Sequence, residues 1–367
     1  MNLRSASIFW IVLFSFVSLH AQMGGSSTYT FLKLPNSARV EALGGMAISI
    51  YDDDLSLAQQ NPSLLNKSMH NQLVMSYNNY FANIGQGYAA YARHWDKIGT
   101  FYAGIQFLNY GDFKRTDEFG NINGTFSAGD YALNIGYSRP FFDSLLYVGG
   151  TFKMLYSQYA EYNSFGMALD LGATYVSRNK LFTASVVLRN MGGQLDPYTP
   201  GNYEAPPFEL HFGISQSFKH VPLRLMLWVT NLQRPDLSYV DPEHRFEVDP
   251  LTNDTIDTKI GVGTNILRHF TIAAELFPFK KHLFLRVAYN FMRGGEMAVD
   301  AKGGAVGLSY GVGIRIANFT ISYSRAHYFI TESPNHFTLN IDLNSFYKWK
   351  RKKKPATEEV IPPPALN

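Results

Sequence analysis

The feature that most constrains this chain is a period-two alternation of apolar with polar or small residues, sustained from about residue 72 to residue 346. Leu283, Leu285, Val287, Tyr289 and Phe291 alternate with Phe284, Arg286, Ala288 and Asn290. Phe337, Leu339, Ile341 and Leu343 alternate with Thr338, Asn340, Asp342 and Asn344, and Leu210, Phe212 and Ile214 with His211, Gly213 and Ser215. Successive side chains of a strand point to opposite faces, so each segment is a strand with one apolar face and one polar or small face. A helical membrane protein would need runs of about 18 apolar residues, and the sequence has none.

Two architectures accept such strands. A soluble sandwich buries the apolar face between sheets, whereas an outer-membrane barrel turns it to lipid and lines its interior with polar groups. Three features favour the barrel. The segments run to about ten residues, the span of a tilted membrane strand. Aromatic residues gather at segment ends (Tyr77, Tyr80 and Phe81; Tyr110; Phe141 and Phe142; Tyr328 and Phe329), as interfacial girdles require. Connections alternate in length, with tight links at 94–97, 177–180, 278–281 and 317–318 and long ones at 111–129, 191–206, 233–256 and 293–303. Composition agrees: 17% of residues are charged, against about a quarter in ordinary globular chains, and there are 28 Phe and 23 Tyr. The fold expected is an all-β transmembrane outer-membrane barrel of antiparallel strands.

Candidate strands fall at 72–82, 86–95, 99–109, 130–140, 144–156, 164–176, 181–190, 207–218, 222–232, 257–267, 269–277, 282–292, 305–316, 319–329 and 336–346. That count is odd, and a single-chain bacterial barrel with both ends on one side has an even number. The stretch 257–267 is the one to discard. Its Gly261, Val262, Gly263, Thr264, Asn265 centre is poor in bulky residues, and about 14 strands remain.

The ends differ from the middle. Residues 1–21 read as a signal peptide, with Arg4 in the n-region, an apolar stretch from Ile8 to Leu19, and Ala21 at the cleavage point, so the chain is expected in the outer membrane. Residues 22–71 form an N-terminal segment packed in or under the barrel at 72–346. Residues 347–367 make a basic, Pro-rich, disordered periplasmic tail after Phe346. The formal charge of +3 is concentrated there: without Lys348, Lys350, Arg351, Lys352, Lys353 and Lys354, the remaining 26 basic residues face 29 acidic ones. A nucleic-acid surface is not expected on such a body. The absence of Cys removes disulfides, thiolate metal sites and thiol nucleophiles.

Motifs that carry chemistry have structural readings. Gly307, Ser309 and Gly311 match the G-x-S-x-G spacing, but the serine lies in one continuous strand with no helix after it, unlike a nucleophile elbow. The ten His residues show no metal-ligand spacing, and His94, His220, His244, His269, His282 and His336 fall in or beside turns, where solvated His is the default. Asp52, Asp53 and Asp54 stand where they would cap a helix over Leu55 to Gln60, ended by Pro62. Arg224, Arg286, Arg315, Lys153, Asp170 and Asp342 fall on non-lipid faces and are expected to pair with one another and with the N-terminal segment. The long loop 233–256 carries Asp236, Asp241, Glu243, Glu247, Asp249 and Asp254, a charge pattern suited to a basic partner surface. No enzyme activity, cofactor or metal is expected.

The stretch Leu34-Pro35-Asn36-Ser37-Ala38-Arg39 runs on to Gly44 and Gly45, then to Asp52, Asp53 and Asp54, then to Asn61, Pro62 and Ser63. It resembles the N-terminal segment of FadL-like outer-membrane barrels, in which small residues precede an acidic pair and an Asn-Pro-Ala turn; Ser63 replaces the last Ala. It more closely resembles the PorV/PorQ family of type IX secretion system barrels of Bacteroidetes, on the PorQ-like side. Ala288, Tyr289 and Asn290 followed by Arg293 and Glu296, and the run Ser333 to Phe337, are also similar to that family, and the likeness spans nearly all of 28–346. The motif residues are Pro35, Asn36, Ser37, Arg39, Gly44, Gly45, Asp53, Asp54, Asn61 and Pro62. The resemblance implies a fourteen-stranded barrel without catalysis, the membrane part of an attachment complex. It would hold a large PorZ-like surface protein through outer loops such as 233–256, alongside a sortase and a PorV-like barrel. A FadL-like transporter of hydrophobic small molecules is the alternative.

Overall fold

The computed structural model describes residues 27–81, 84–237, 246–248, 255–257, 261–279, 282–296, 305–328 and 333–344. The expected signal peptide, Phe346 and the basic tail lie outside the described residues. In chain order the strands are β1 (Gln72–Asn79), β2 (Gly85–Trp95), β3 (Gly99–Thr116), β4 (Ile122–Phe141), β5 (Leu146–Tyr159), β6 (Tyr162–Val176), β7 (Phe182–Asp196), β8 (Glu209–Ser217) and β9 (Leu223–Val229). They continue with β10 (Phe246–Val248), β11 (Thr255–Asp257), β12 (Phe270–Leu276), β13 (Leu283–Asn290), β14 (Leu308–Ile316), β15 (Phe319–Ala326) and β16 (Asn335–Asp342).

Fourteen of these close into an antiparallel barrel, and β10 with β11 forms a separate two-stranded ribbon. Closure is made by β1, which pairs with β2 on one side and with β16 on the other, Gln72 opposite Asp342 and Asn79 opposite Asn335. A closed sheet leaves no unpaired edge in lipid, where an unmet backbone N–H or C=O costs several kcal/mol. Both barrel termini share one end with the β2–β3, β4–β5, β6–β7, β8–β9, β12–β13 and β14–β15 turns; the longest connections share the other, together with the two-residue β5–β6 turn.

The faces are inverted relative to a soluble barrel. Along β4, Leu133 and Ile135 face outward at 43% and 50% exposure, while Asn134 between them is fully buried. Thr151, Lys153, Ser157, Asp170 and Thr174 are likewise buried on the inward face, and Phe152, Met154, Leu169 and Leu171 lie exposed outside. Polar interior with apolar exterior is the pattern a bilayer selects.

The strand that parity removed is a helix. Val262–Arg268 is helical, started by Gly261, because its Gly-rich sequence offers no apolar face for a strand while Ile266, Leu267 and Arg268 fit one helical turn. Several expected loops are partly ordered. The expected loop 111–129 is mostly strand: β3 and β4 pair on from Asp112–Ser127 to Thr116–Ile122, past a bulge at Asn109 and Asp112. β7 reaches Asp196, and 293–303 begins with a helix, Phe291–Glu296. Polar residues hide these extensions, because a strand above the membrane has no lipid face to mark it. The result is an uneven rim. Tyr110–Thr116 of β3 and Ile122–Ser127 of β4 continue beyond their last pairs with β2 and β5.

Not every expected girdle residue faces lipid. Tyr77 is 53% exposed, but Tyr328 is buried at 7% and packs edge-on against Tyr80 and Phe81, with ring centroids 5.9 and 6.0 Å away. These rings sit past the strand ends, and that of Tyr328 lies over a buried arginine, Arg293. His336 also departs from the solvated expectation. It is 2% exposed on the inward face of β16, opposite Asn78 of β1 and Ser324 of β15. β16 begins at Asn335, so the sheet already holds His336. His269 is buried too, with its ring nitrogen Nδ1 2.7 Å from the Thr230 carbonyl.

Candidate functional site

The densest polar organisation is where the N-terminal segment meets the inward side of the sheet. Its local structure is written by caps. Ser37 starts the helix Ala38–Ala42, its Oγ accepting from Val40 N, and Asp54, Asn61 and Asn66 start three 3-10 turns by accepting from Ser56, Ser63 and Ser68 N. Such caps satisfy N–H groups that short helices leave open. Gly44 and Gly45 follow the first helix with φ of 89° and 90°, in the left-handed region. A Cβ on Gly44 would lie 2.6 Å from Thr271 Cγ2, and one on Gly45 2.9 Å from an Arg293 nitrogen. Both glycines are therefore required by conformation and by close approach.

Bonds run from this segment to strands on every side. Gln86 of β2 donates to Pro35 O at 2.8 Å, and Gln106 of β3 to Phe31 O at 3.1 Å. Asn61 donates to Thr174 Oγ1 of β6 at 3.0 Å, and Arg189 of β7 to Leu32 O at 3.2 Å. Ser215 of β8 and Trp228 of β9 donate to Ser49 at 2.6 and 3.1 Å, and Ala38 N donates to Thr338 Oγ1 of β16 at 2.8 Å. Within the segment, Asn36 donates to Ser56 O and accepts from Gln60. Apolar groups fill between: Val40, Leu43, Ile48, Ile50, Leu57 and Leu64 are fully buried and pack with Val187, Met226 and Trp228 of the barrel.

Arg39 is the centre of the charged network. Its guanidinium lies 2.7 Å from Asp52, 3.1 Å from Asp54 and 2.9 Å from Glu275 of β12. Glu275, fully buried, also accepts from Arg224 at 3.0 Å and from Arg286 at 2.8 Å, and Arg224 returns to Asp52 at 3.0 Å. Three guanidinium groups thus face three carboxylates, the balance that lets buried charge persist. Burial opposes ionisation of Asp52, but Arg39 and Arg224 outweigh it and hold its carboxyl well below the usual range. Arg315 grips Asp53 with two bonds of 2.9 and 3.2 Å. All three consecutive aspartates therefore face guanidinium groups.

A second cluster lies toward the long-loop end. Arg293 donates to Glu41 at 3.3 Å, to Ser309 Oγ at 3.2 Å and to Tyr328 OH at 3.0 Å, with its guanidinium carbon 3.8 Å from the Tyr328 ring centroid. Burial raises the Glu41 carboxyl above its ordinary range despite Arg293. Ser309, the serine of the G-x-S-x-G match, is fully buried in a continuous strand. A third cluster joins Lys153 to Asp170 at 2.7 Å and to Asn190 at 2.8 Å, at a β6–β7 bulge where Asn190 has φ of 58°.

The sequence motif is thus brought together: Pro35, Asn36, Ser37, Arg39, Gly44, Gly45, Asp53, Asp54, Asn61 and Pro62 all belong to this one segment and its bonds to the sheet. The loop residues are not assembled into a site. Asp236 is exposed after β9, Glu247 sits in the β10–β11 ribbon opposite Ile256, and Asp241, Glu243 and Asp249 lie outside the described residues. Glu275 was missed by sequence reasoning, as were Glu41 and the group Arg189, Glu209 and His211. A signal for Glu275 existed: Thr271, Ala273 and Glu275 alternate against Ile272 and Leu276, which marks Glu275 as inward.

A closed fourteen-strand sheet with an apolar outside and a charged, hydrogen-bonded inside has one assignment. The chain is a transmembrane β-barrel of the outer-membrane type. No family model and no curated protein matches it. Among solved structures it is similar to the Pseudomonas putida toluene transporter TodX, at 12% identity and a TM-score of 0.48 over 84% of this chain and 96% of that one. It is also similar to a Pseudomonas aeruginosa FadL homologue, at 11% identity and a TM-score of 0.46 over 84% and 98%.

Proposed function

We propose that the chain is a non-catalytic outer-membrane anchor, holding a large exported protein at the cell surface through its long-loop end, as PorV/PorQ-type barrels of the type IX secretion system do. The observation that carries this reading is the long-loop rim. There the β3–β4 ribbon stands above its neighbours and exposes Phe119 at 89% and Ile122 at 60%. Elsewhere on the same rim, the β7–β8 connection exposes Tyr203 at 65%, and the helix Val262–Arg268, between β9 and β12 across the barrel, exposes Val262 at 77% and Ile266 at 54%. Exposed apolar groups on ordered elements beyond the lipid are what a protein partner covers. The N-terminal segment supports the same reading. Bonded to strands all round the barrel, it acts as a plug that makes the sheet a rigid scaffold. Ser309, packed against Arg293, is read as structural, so no reaction is assigned.

The test is purification of the full chain from its own outer membranes in mild detergent. One large exported protein should accompany it in near-equal amount. Recovery of the barrel alone from cells that contain the exported protein would sink the reading. A second reading, passage of hydrophobic small molecules, is favoured by the β6–β7 bulge at Asp170 and Asn190, an irregularity in the wall of the kind a lateral opening uses. Uptake that depends on the chain, with no partner recovered, would select it.

A further inference from the structure

At the short-turn end, the β2–β3 and β4–β5 turns and residues 65–67 border an open cleft of about 370 Å³. Its wall carries Lys67, His94, Lys97 and Arg139, and its buried side carries Tyr51 and Tyr147, whose hydroxyls are 2.7 Å apart. Asp96 lies 2.9 Å from Lys67 and 3.5 Å from His94, so it offsets the charge of Lys67. Lys97 and Arg139 have no carboxylate within ion-pair distance among the described residues. Two exposed cations thus converge on a space of ligand size.

Their depth identifies the ligand. Arg139 stands on the outward face of β4, in line with Leu133 and Ile135 and opposite the outward-facing Val148. An arginine on a lipid-facing strand is stable only where its head reaches the charged interface. Trp95, Ile98, Phe141 and Phe142 are exposed around the same mouth at 41%, 53%, 46% and 75%, and aromatic side chains gather at the headgroup level. Guanidinium and ammonium groups at that level meet phosphate oxygens, which Arg binds with paired N–H donors.

The geometry points to a binding site for an anionic phosphate group, supplied by a phospholipid headgroup of the leaflet at the short-turn end. Lys97 and Arg139 take the phosphate, and the acyl chains lie along the apolar outward faces of β3 and β4. This site is independent of the surface partner, because it lies at the opposite end of the barrel.

The experiment is native mass spectrometry of the full chain in detergent, with phosphatidylglycerol, phosphatidylcholine or inorganic phosphate added. Lys97 has φ of 75°, so Asn is the neutral replacement its turn tolerates. The wild type should retain phosphatidylglycerol in preference to phosphatidylcholine, and K97N/R139Q should retain it about tenfold less or weaker still. Millimolar phosphate should neither bind nor compete. Retention of phosphatidylglycerol unchanged in the variant would overturn the site. Binding of inorganic phosphate that is lost in the variant, with no lipid preference, would assign the cations to a free anion and overturn the lipid source. A heat-modifiable gel band confirms that the double variant is folded; should it fail, K97N alone should show a several-fold loss of lipid, and no loss there overturns the site.

Discussion

Arg39 is the cation shared by Asp52, Asp54 and Glu275, and its guanidinium is almost wholly buried. Removing one partner of a buried ion pair leaves the others uncompensated, at a cost of about 3–5 kcal/mol. Arg39→Gln should therefore loosen the N-terminal segment, read as new protease cleavage within 27–71 while the barrel keeps its heat-modifiable mobility. Arg39→Lys should recover little, because one ammonium cannot reproduce a fork that serves three carboxylates. The pH dependence follows from Asp52. Its native value lies below the ordinary 3.8, so its stabilisation is full above that value and fades as the pH falls through the lower native one. Glu41, raised by burial, acts in the opposite sense and favours the folded state as the pH falls. The Asp52 share is isolated by comparison with Asp52→Asn: protease resistance of the two forms should differ most near pH 7, and the difference should start to shrink only as the pH falls below the ordinary 3.8 toward the lower native value. A difference that persists unchanged at low pH would contradict the ionic role. Much of this was legible in the sequence. Arg224, Arg286 and Arg315 were readable as inward by alternation alone. Their partners were not, because Arg39 and Glu275 are 236 residues apart and only closure of the barrel brings them together.

At the scale of elements, the turn after the helix Ala38–Ala42 is the most constrained. Gly44→Ala would place an L-residue at φ of 89° and a methyl against Thr271. The left-handed conformation alone costs about 1–2 kcal/mol. The expected outcome is a lower unfolding temperature in detergent, with Thr271→Ser restoring the steric part and leaving the conformational part. Full restoration would show that the backbone angle does not matter. The strands themselves were visible as alternation wherever lipid imposes an apolar face. The upper β3–β4 ribbon was not, because water on both sides removes the pattern: Lys114, Arg115, Thr116, Asn121 and Asn123 read as loop. Phe113 and Phe126 stack across that ribbon at 5.3 Å. Replacing 113–126 with a short polar turn should leave insertion intact, since the membrane pairs of β3 and β4 lie below it. Loss of the heat-modifiable band would place the ribbon in barrel folding rather than in partner contact.

At the scale of the whole molecule, a closed barrel bonded to its N-terminal segment and crowned unevenly at one end is the frame on which the proposed anchoring rests. Fold class and strand parity could be read from the sequence because the bilayer imposes strict rules on length, alternation and even count. The outer surface follows no such rule, so the residues that meet a partner carry no period. The most direct measurement compares the surface and medium proteomes of cells with and without the chain. One large exported protein should leave the surface and appear in the medium when the chain is absent, and return when it is restored. An unchanged surface proteome, accompanied by reduced uptake of small apolar molecules, would contradict anchoring and make the barrel a transporter.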